Sequence, residues 1–300
     1  MFKILVGVGT YNRNELLRKC LDSLVRLIFP EGCTIELAVS DNNPNKEAFC
    51  VVEEFRNNHV MPIFYEHEPI KSIAAVRNKV LEIGLREDVD YIAFLDDDEF
   101  VTEDWILNLY NCICEYSADV ATSYPQRVCN GKLQEIPLNI KKRKQGSIRN
   151  VCATSSVLFN TKLLKDNYNL RFDVEFGLMT GEDIDFFDRA TKLGAKIVWC
   201  DKILVFAELP SERKTLIWKM DRFFNNGYLK IFLKKKNSES LTKEYYKSLF
   251  DLSFFALLTL LVSPFSQILK ENCLLKLMDC LGKLKSIYSD TAYEHYKRKE

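Results

Sequence analysis

Short apolar runs rich in β-branched and aromatic residues alternate with segments of helical periodicity over the first two thirds of the chain. Parallel strands need long crossover connections, which are usually helices, so this alternation predicts an α/β fold with a mainly parallel sheet. The predicted strands lie at 3–8, 34–40, 62–65, 91–95, 119–123 and 195–199. The predicted helices lie at 17–28, 73–85, 103–116 and 182–193.

Composition limits the classes of partner. Lys plus Arg (42) equals Asp plus Glu (42), so the chain lacks the positive field that nucleic-acid binders normally show. Hydrophobic residues make up 47% of 300 residues, which is enough for a globular core. The ten cysteines lack metal-finger spacing, and the apolar N-terminal run is too short for a signal peptide. These features predict a cytoplasmic globular protein with reduced thiols and no nucleic-acid partner.

Polar residues directly follow three of the predicted strands, with TYNR at 10–13, DNN at 41–43 and DDDE at 96–99. Ligands of parallel α/β sheets bind at the carboxyl ends of the strands, so these residues are candidates for a binding site. Four consecutive carboxylates repel one another unless a cation offsets their charge, and Mg²⁺ or Mn²⁺ is the natural occupant. The alternative is a solvated acidic loop that precedes a helix.

Other residues add to this candidate site. The carboxylate of Asp41 is suited to accept the N3 hydrogen of a uracil ring, and Arg77 to reach a base or a diphosphate, although a lone arginine is more often a surface cation. Glu182 and Asp183 open a predicted helix, where a carboxylate is placed as a general base or simply caps the helix. The glycines at 7 and 9 do not complete a dinucleotide fingerprint, and no P-loop motif is present.

Five segments resemble, in order and spacing, the inverting family 2 glycosyltransferases of the GT-A fold: TYNR at 10–13, VSDNN at 39–43, VRN at 76–78, FLDDDE at 94–99 and GEDIDF at 181–186. The resemblance covers residues 3 to 225 and implies a Rossmann-like, mainly parallel sheet flanked by helices. It implies a catalytic domain at 1–228, followed by a helical region at 229–300. The chain lacks the QxxRW signature of processive synthases, so the resemblance is to the bacterial non-processive type.

The activity that this resemblance implies is transfer of a sugar from a nucleotide-sugar donor, UDP-linked, to a hydroxyl group. The implied acceptor is a glycan or a lipid-linked glycan in cell-surface polysaccharide synthesis, and the implied cofactor is Mn²⁺ or Mg²⁺. The nucleotide contacts carried over by resemblance are Thr10, Tyr11, Arg13, Asp41, Arg77, Asp96, Asp97 and Arg213. Among these, Thr10 and Asp41 are matched to the nucleoside and Asp96 to the ribose side.

The resemblance also implies the catalytic and metal-binding residues. Asp98 is matched to the metal, with Asp96 and Glu208 as further metal-site residues. Asp183 is matched to the base that takes the proton of the acceptor hydroxyl, and Glu182 to a residue that positions the acceptor. These roles would stabilise the departing nucleoside diphosphate and activate the acceptor on the opposite face of the sugar.

Two other functions are consistent with parts of the sequence. A sugar-phosphate nucleotidyltransferase also combines a nucleotide-binding sheet with metal-binding carboxylates, but its glycine-rich loop with a following arginine is absent after the first strand. A catalytically inactive, membrane-associated scaffold is the second alternative. Retention of all the acidic positions argues against it.

The C-terminal region is rich in Leu and Phe and contains a basic run, Lys234 to Lys236. The apolar stretch at 252–262 is bounded by Asp251 and Pro264 and falls short of an ordinary membrane-spanning helix. We expect this region to attach peripherally to the cytoplasmic face of the inner membrane, with the basic run near anionic headgroups. Packing on the catalytic domain and insertion as a hairpin are the alternatives.

A basic loop is predicted at 129–150.

Overall fold

The computed structural model describes residues 1–129, 132–133, 143–165, 167–203, 205–208, 211–262, 265–289, 291 and 293. Most of the predicted basic loop at 129–150 lies outside this part of the chain. The described residues form two compact units. The first comprises Met1–Val174 with Glu182–Glu208, and the second comprises Glu175–Gly181 with Leu209–Glu300.

Twelve strands are formed by the described residues: β1 (Phe2–Thr10), β2 (Cys33–Asp41), β3 (Ile63–His67), β4 (Tyr91–Asp96), β5 (Glu99–Val101), β6 (Val120–Thr122), β7 (Gln126–Cys129), β8 (Lys132–Leu133), β9 (Ile148–Arg149), β10 (Val157–Asn160), β11 (Ile197–Trp199) and β12 (Val205–Glu208). The main sheet has the order β3-β2-β1-β4-β10-β6-β11-β9, and β5, β12, β7 and β8 form a second sheet. Strands β1 to β4 are parallel to one another, and β6 is parallel to β11. The predicted mainly parallel sheet is therefore confirmed.

The described residues also form eight α-helices: α1 (Asn14–Leu24), α2 (Phe49–Asn58), α3 (Ile73–Arg86), α4 (Trp105–Tyr116), α5 (Glu182–Lys192), α6 (Leu216–Lys236), α7 (Thr242–Val262) and α8 (Gln267–Ile287). Helix α3 begins where the sequence predicts, because the side chain of Ser72 accepts a hydrogen bond from the backbone N–H of Ala75. Helix α2 was not predicted. The domain boundary predicted at residue 228 lies within α6, whereas the chain passes between the compact units at 174/175, 181/182 and 208/209.

The central strands are buried on both faces, which explains their continuous apolar runs. In β1, Val6 and Val8 pack into one core with α1 and α4, whereas Leu5 packs into a second core with α3. Gly7 and Gly9 allow this second packing, since a Cβ atom on Gly9 would lie 2.6 Å from a methyl group of Val76. The two glycines thus serve the approach of a helix to the sheet.

The register of the parallel strands brings their polar carboxyl ends to one edge of the sheet. Thr10 at the end of β1 is level with Asp41 at the end of β2, and Gly9 is level with Asp96 at the end of β4. The TYNR, DNN and DDDE segments therefore lie side by side, as the sequence predicts. The antiparallel strand β10 begins at this same edge, since Val157 pairs with Phe94.

In the second unit, α8 packs against both α6 and α7. Two glycines permit the close crossing of α6 and α8, because a Cβ atom on Gly227 would collide with the backbone carbonyl of Asp279. A Cβ atom on Gly282 would likewise collide with the carbonyl of Phe224. The backbones of the two helices therefore touch without intervening side chains.

We predict that Gly227→Ala lowers the free energy of unfolding of the second unit by about 1–3 kcal/mol. Helix propensity alone predicts the opposite change, because alanine in place of glycine would raise the free energy of unfolding by about 1 kcal/mol. Thermal unfolding of the purified variant measures the change, and Leu281→Ala, at an exposed position of α8, is the matched control. Equal or higher stability of the glycine variant would contradict the close crossing.

Candidate active site

The acidic turn between β4 and β5 is tied to the loop that follows β1. The Thr10 hydroxyl donates to Asp97 Oδ2 at 2.8 Å, and the Arg13 guanidinium donates to Asp97 Oδ1 at 2.8 Å. Arg13 also contacts Asp98 Oδ2 at 3.3 Å. Asp97, predicted only as a nucleotide contact, thus holds two segments that are 84 or more residues apart in the sequence.

The buried position of this turn changes the protonation of its carboxyl groups. Burial raises the pKa of Asp97 to about 6. The negative charge of Asp98 adds to this rise, whereas the positive charge of Arg13 opposes it. Burial and the charge of Asp96 raise the pKa of Glu99 well above its usual range, although Glu99 accepts hydrogen bonds from the Ser155 hydroxyl and the Asp96 N–H. The turn is thus electrostatically strained when all four carboxyl groups are ionised.

Asp41 is fully buried at the end of β2. Its Oδ1 accepts from the backbone N–H of Asn43 at 2.8 Å, and its Oδ2 accepts from Ala48 N–H and from the Tyr65 hydroxyl at 3.0 Å each. The carboxylate therefore shapes the loop after β2. A carboxylate oxygen accepts two hydrogen bonds, so Oδ1 keeps capacity for a ligand.

Arg77, on the first turns of α3, connects the acidic turn to the start of α5. It forms an ion pair with Glu182 and lies 3.7 Å from Asp96 Oδ1. Its guanidinium also lies 5.9 Å from the centre of the Phe172 ring. The neighbouring Asn78 fixes the backbone of Phe172 with two hydrogen bonds of 2.8 Å, one to its carbonyl oxygen and one from its N–H. Arg77 is thus held between two carboxylates and an aromatic face.

Asp183 directly follows Glu182, which Arg77 joins to the acidic turn. Loss of hydration raises the pKa of Asp96, Arg77 opposes this rise, and the negative charges of Asp98 and Asp183 add to it. Burial raises the pKa of the Cys152 thiol, and the charge of Asp183 raises it further. Asp183 Oδ1 accepts a hydrogen bond from the N–H of Ile184 at 2.8 Å.

Glu182 has one carboxylate oxygen that is satisfied and one that is not. Oε1 pairs with Arg77, whereas Oε2 is buried and has no hydrogen-bond partner among the described residues. A buried carboxylate oxygen without a donor is costly, and a ligand hydroxyl would satisfy it.

The donor set fits a hard divalent cation. Carboxyl groups outnumber the two arginines of the site, Arg13 and Arg77, and oxygen ligands are those that Mg²⁺ and Mn²⁺ prefer. No three His, Cys, Asp or Glu side chains of the described residues converge as metal ligands. Mg²⁺ in proteins is usually bound by one or two carboxylates, with phosphate and water oxygens as the other ligands, and Asp98 and Asp96 are the carboxylates predicted for this role.

The remaining predicted site residues are Tyr11, Glu208 and Arg213. Tyr11 is half-buried in the loop after β1, next to Thr10. Glu208 ends β12 in the first unit, where Ala207 is opposite Glu99 of β5, so its backbone lies next to the acidic turn, whereas its side chain lies outside the described part of the structure. Arg213 belongs to the second unit, where its guanidinium lies 5.9 Å from the centre of the Trp218 ring. The structure brings together the other nine predicted site residues, and the roles of all twelve stay predictions.

Three supporting residues were not identified from the sequence. Tyr65 contacts Asp41, Ser155 contacts Glu99, and Asn78 fixes Phe172. Tyr65 ends the predicted third strand, and its position at the same sheet edge was the available signal. Ser155 carried no sequence signal, because it reaches the acidic turn through β10, whose antiparallel placement was not predicted.

Comparison with known proteins defines the class of this fold and site. The family model for glycosyl transferase family 2 matches residues 5–173. The chain is 30% identical over 235 residues to the succinoglycan biosynthesis protein ExoM of Rhizobium meliloti (strain 1021), covering 74% of this chain and 72% of that protein. The chain belongs to glycosyltransferase family 2, and it is a glycosyltransferase enzyme whose relatives act in polysaccharide biosynthesis.

Solved structures show the same fold. TarS residues 1–349 of S. aureus, in complex with UDP-GlcNAc, superpose with a TM-score of 0.58 at 18% identity, covering 96% of this chain and 91% of that one. GalNAc-T7, in complex with UDP, GalNAc and Mn²⁺, gives a TM-score of 0.53 at 13% identity, covering 70% of this chain and 44% of that one. The predicted GT-A fold with C-terminal helices is confirmed.

Proposed function

We propose that this enzyme transfers one sugar, with inversion, from a UDP-linked donor to a hydroxyl of a glycan or lipid-linked glycan in cell-surface polysaccharide synthesis. The observation that carries the proposal is the position of Arg77, which pairs with Glu182 and lies 3.7 Å from Asp96, so that the start of α5, with Asp183, is joined to the acidic turn. A base and a diphosphate site at one sheet edge are what displacement at an anomeric carbon requires. The UDP complexes of the TarS and GalNAc-T7 structures support the choice of nucleotide.

The nucleotide is assigned to the carboxyl ends of β1, β2 and β4. Asp41 Oδ1 accepts from the base, and Thr10 and Tyr11 line the loop beside it. Arg13 and Arg77 offset the charge of the diphosphate, and they are already held in place by Asp97 and Glu182. Because these contacts exist before the donor binds, little ordering remains to be done on binding.

The metal is assigned to Asp98, with Asp96 beside it and Glu208 as a further candidate. When bound, a divalent cation stabilises the negative charge that develops on the departing diphosphate. The net negative charge of the acidic turn supports this assignment, since a cation relieves the repulsion among its carboxylates. Arg213 of the second unit is a further candidate for contact with the phosphates.

The acceptor is assigned to the start of α5, beside Glu182 and Asp183. Asp183 takes the proton of the attacking hydroxyl as the new bond to the anomeric carbon forms and the bond to the phosphate oxygen breaks. Glu182 Oε2, which is buried without a donor among the described residues, accepts a second hydroxyl of the acceptor and positions it. Attack opposite to the leaving diphosphate inverts the configuration.

Glu182→Gln tests this positioning role. The amide keeps the shape of the side chain, but it removes the ion pair with Arg77 and replaces one acceptor oxygen by a donor. We expect kcat/KM for the acceptor to fall about 10- to 100-fold, since a charged hydrogen bond contributes roughly 1.5–3 kcal/mol. Asp188→Asn, on the same helix and paired with Lys192, is the matched control and should keep normal kinetics. A wild-type KM and kcat in the Glu182 variant would remove it from the site.

The donor assignment is tested without knowledge of the acceptor. Binding and slow hydrolysis of a panel of nucleotide sugars are measured with Mn²⁺, with Mg²⁺ and with a chelator. We expect one or more UDP-sugars to bind and release UDP only when the metal is present. Release of inorganic pyrophosphate from a sugar phosphate and UTP would instead identify a nucleotidyltransferase, and no reaction with any donor would indicate an inactive scaffold.

The site of action is assigned to the cytoplasmic face of the inner membrane, with peripheral contact through the C-terminal helices. The name of the relative ExoM, a succinoglycan biosynthesis protein, supports a polysaccharide as the final product. Intermediates of such a product that are linked to lipid would present their hydroxyl groups at a membrane surface.

A further inference from the structure

Helix α7 carries an exposed apolar face that has no counterpart in the rest of the described chain. Among the described residues it is the one helix whose length and composition would allow it to cross a membrane, and very little of it is buried. Exposed side chains recur along it at helical spacing. Phe265, which precedes α8, and Ile268, on its first turn, continue the apolar surface and are 86% and 74% exposed. A continuous exposed apolar face of this kind marks a site of interaction with another protein or with a membrane.

We propose that the α7–α8 hairpin, defined here as residues 242–262 and 265–287, docks on an anionic lipid bilayer by laying the exposed face of α7, together with Phe265 and Ile268, into the interfacial layer. The inference concerns binding alone and does not depend on the donor or the acceptor.

The first support is the absence of charge. Residues 252–269, eighteen in a row, contain no Asp, Glu, Lys, Arg or His. A docking site for a protein partner or a second copy normally carries polar groups at its rim, whereas the lipid interface accepts a continuous uncharged surface. The occupant that best matches this segment is therefore hydrocarbon.

The second support is the pairing of the polar groups inside this segment. The Ser253 hydroxyl donates to the Leu249 carbonyl at 3.1 Å, and the Thr259 hydroxyl donates to the Phe255 carbonyl at 2.6 Å. The Ser266 hydroxyl accepts from the N–H of Leu269 at the start of α8. Because lipid offers no hydrogen bonds, polar groups that enter it must be satisfied within the protein, and these are.

The third support is the position of the cations. Lys243 and Lys247 lie on the first turns of α7, on the same side of the helix as the apolar row, and both are exposed. The row runs at i+3 and i+4 spacing through Lys243, Lys247, Phe250, Phe254, Leu257 and Leu261. Lys270 follows the uncharged segment directly. Cations at both ends of an apolar face complement anionic headgroups.

The sequence predicts that Lys234 to Lys236 contact the lipid headgroups, but in the structure these lysines contact other groups of the second unit. Lys234 pairs with Glu244 at 3.0 Å, the amine of Lys235 donates to the Ser289 carbonyl at 2.9 Å, and the amine of Lys236 lies 4.9 Å from the centre of the Phe176 ring. The contact is therefore assigned to α7 instead.

Docking on one leaflet is favoured over crossing the bilayer. Helix α8 returns along α7 and carries Lys270, Glu271 and Lys276, which full insertion of the hairpin would carry into hydrocarbon. Charges at that depth are costly. In the interfacial orientation the lysines reach the headgroups along their own aliphatic stems.

The test is flotation of the full chain with vesicles of phosphatidylcholine, with and without phosphatidylglycerol. We expect the wild type to float with the anionic vesicles. Leu257→Glu/Leu261→Glu should lower the partition coefficient by at least about a hundredfold, since two leucine side chains lose their burial. The control pair Val60→Glu/Ile217→Glu, at positions that are also exposed and apolar, should bind as the wild type does. Lys243→Gln/Lys247→Gln should weaken binding about 30-fold, only to the anionic vesicles.

Failure of the wild type to float, or unchanged flotation of the double glutamate variant, would overturn the proposal. A wild-type dimer in solution that the same variant converts to a monomer, without vesicle binding, would assign the face to a second copy and also overturn it. Phe254→Trp provides a measurement that does not depend on a charged variant: its emission should shift to the blue with vesicles and be quenched by lipids brominated in the acyl chain. No change in its emission would contradict docking.

Discussion

Asp183→Asn should lower sugar transfer by about 10²- to 10⁴-fold, which is the usual contribution of a positioned general base. The amide keeps the hydrogen bond from the N–H of Ile184 but cannot take a proton from the acceptor hydroxyl. Because the amide is neutral, it removes the electrostatic repulsion between residue 183 and the Asp96 carboxylate. We therefore expect the affinity for the nucleotide sugar to be unchanged or slightly higher. The loss should therefore appear in kcat.

The measurement is single-turnover transfer, together with donor binding by calorimetry, on the wild type and the variant. Asp188→Asn, one turn further along α5 and paired with Lys192, controls for the loss of a carboxylate from this helix. A variant that transfers within a few-fold of the wild-type rate would show that another group takes the proton. A variant that loses donor binding as well would assign Asp183 to the donor site.

Asp98→Asn should lower turnover by about 10³-fold, because it weakens the site for the cation that stabilises the leaving diphosphate, a contribution of several kcal/mol. The same variant loses a charged partner of Arg13, but Asp97 still holds that arginine at 2.8 Å. The loop after β1 should therefore keep its place. We expect UDP to bind to the variant as weakly with Mn²⁺ as it binds to the chelator-treated wild type.

Titration of UDP binding at a series of Mn²⁺ concentrations separates this outcome from a loss of folding. Asp22→Asn, at an exposed position on α1, is the control for a surface carboxylate and should show the wild-type dependence on Mn²⁺. Metal-dependent UDP binding that survives in Asp98→Asn would transfer the role of metal ligand to Asp96 or Glu208.

The sheet edge and its polar residues were predictable because they follow from local rules. Apolar runs identify parallel strands, and the carboxyl ends of such strands meet at one edge, so Thr10, Asp41 and Asp96 were placed together without knowledge of any contact. Helix α3 was predictable for the same reason, since its periodicity and its Ser72 cap are both local. The family resemblance added roles to these positions, and the family match confirms the class.

The contacts that organise the site were not predictable, because they join segments far apart in the sequence. The pairing of Arg13 with Asp97 spans 84 residues, and that of Arg77 with Glu182 spans 105. Strand β10 enters the sheet antiparallel between β4 and β6, and no local pattern sets that order. The predicted boundary at 228 followed a change of composition at the basic end of α6, whereas the helix itself is continuous there.

Slow hydrolysis of the donor tests most directly whether one sheet edge performs metal-dependent displacement with inversion. Hydrolysis of a UDP-α-sugar by the wild type is followed by proton nuclear magnetic resonance, so that the first anomer of the released sugar is observed before it equilibrates in water. We predict that the β-anomer forms first, only when Mn²⁺ or Mg²⁺ is present, and that neither Asp98→Asn nor Asp183→Asn forms it at a comparable rate. Initial release of the α-anomer, or release at the same rate with a chelator, would contradict the account.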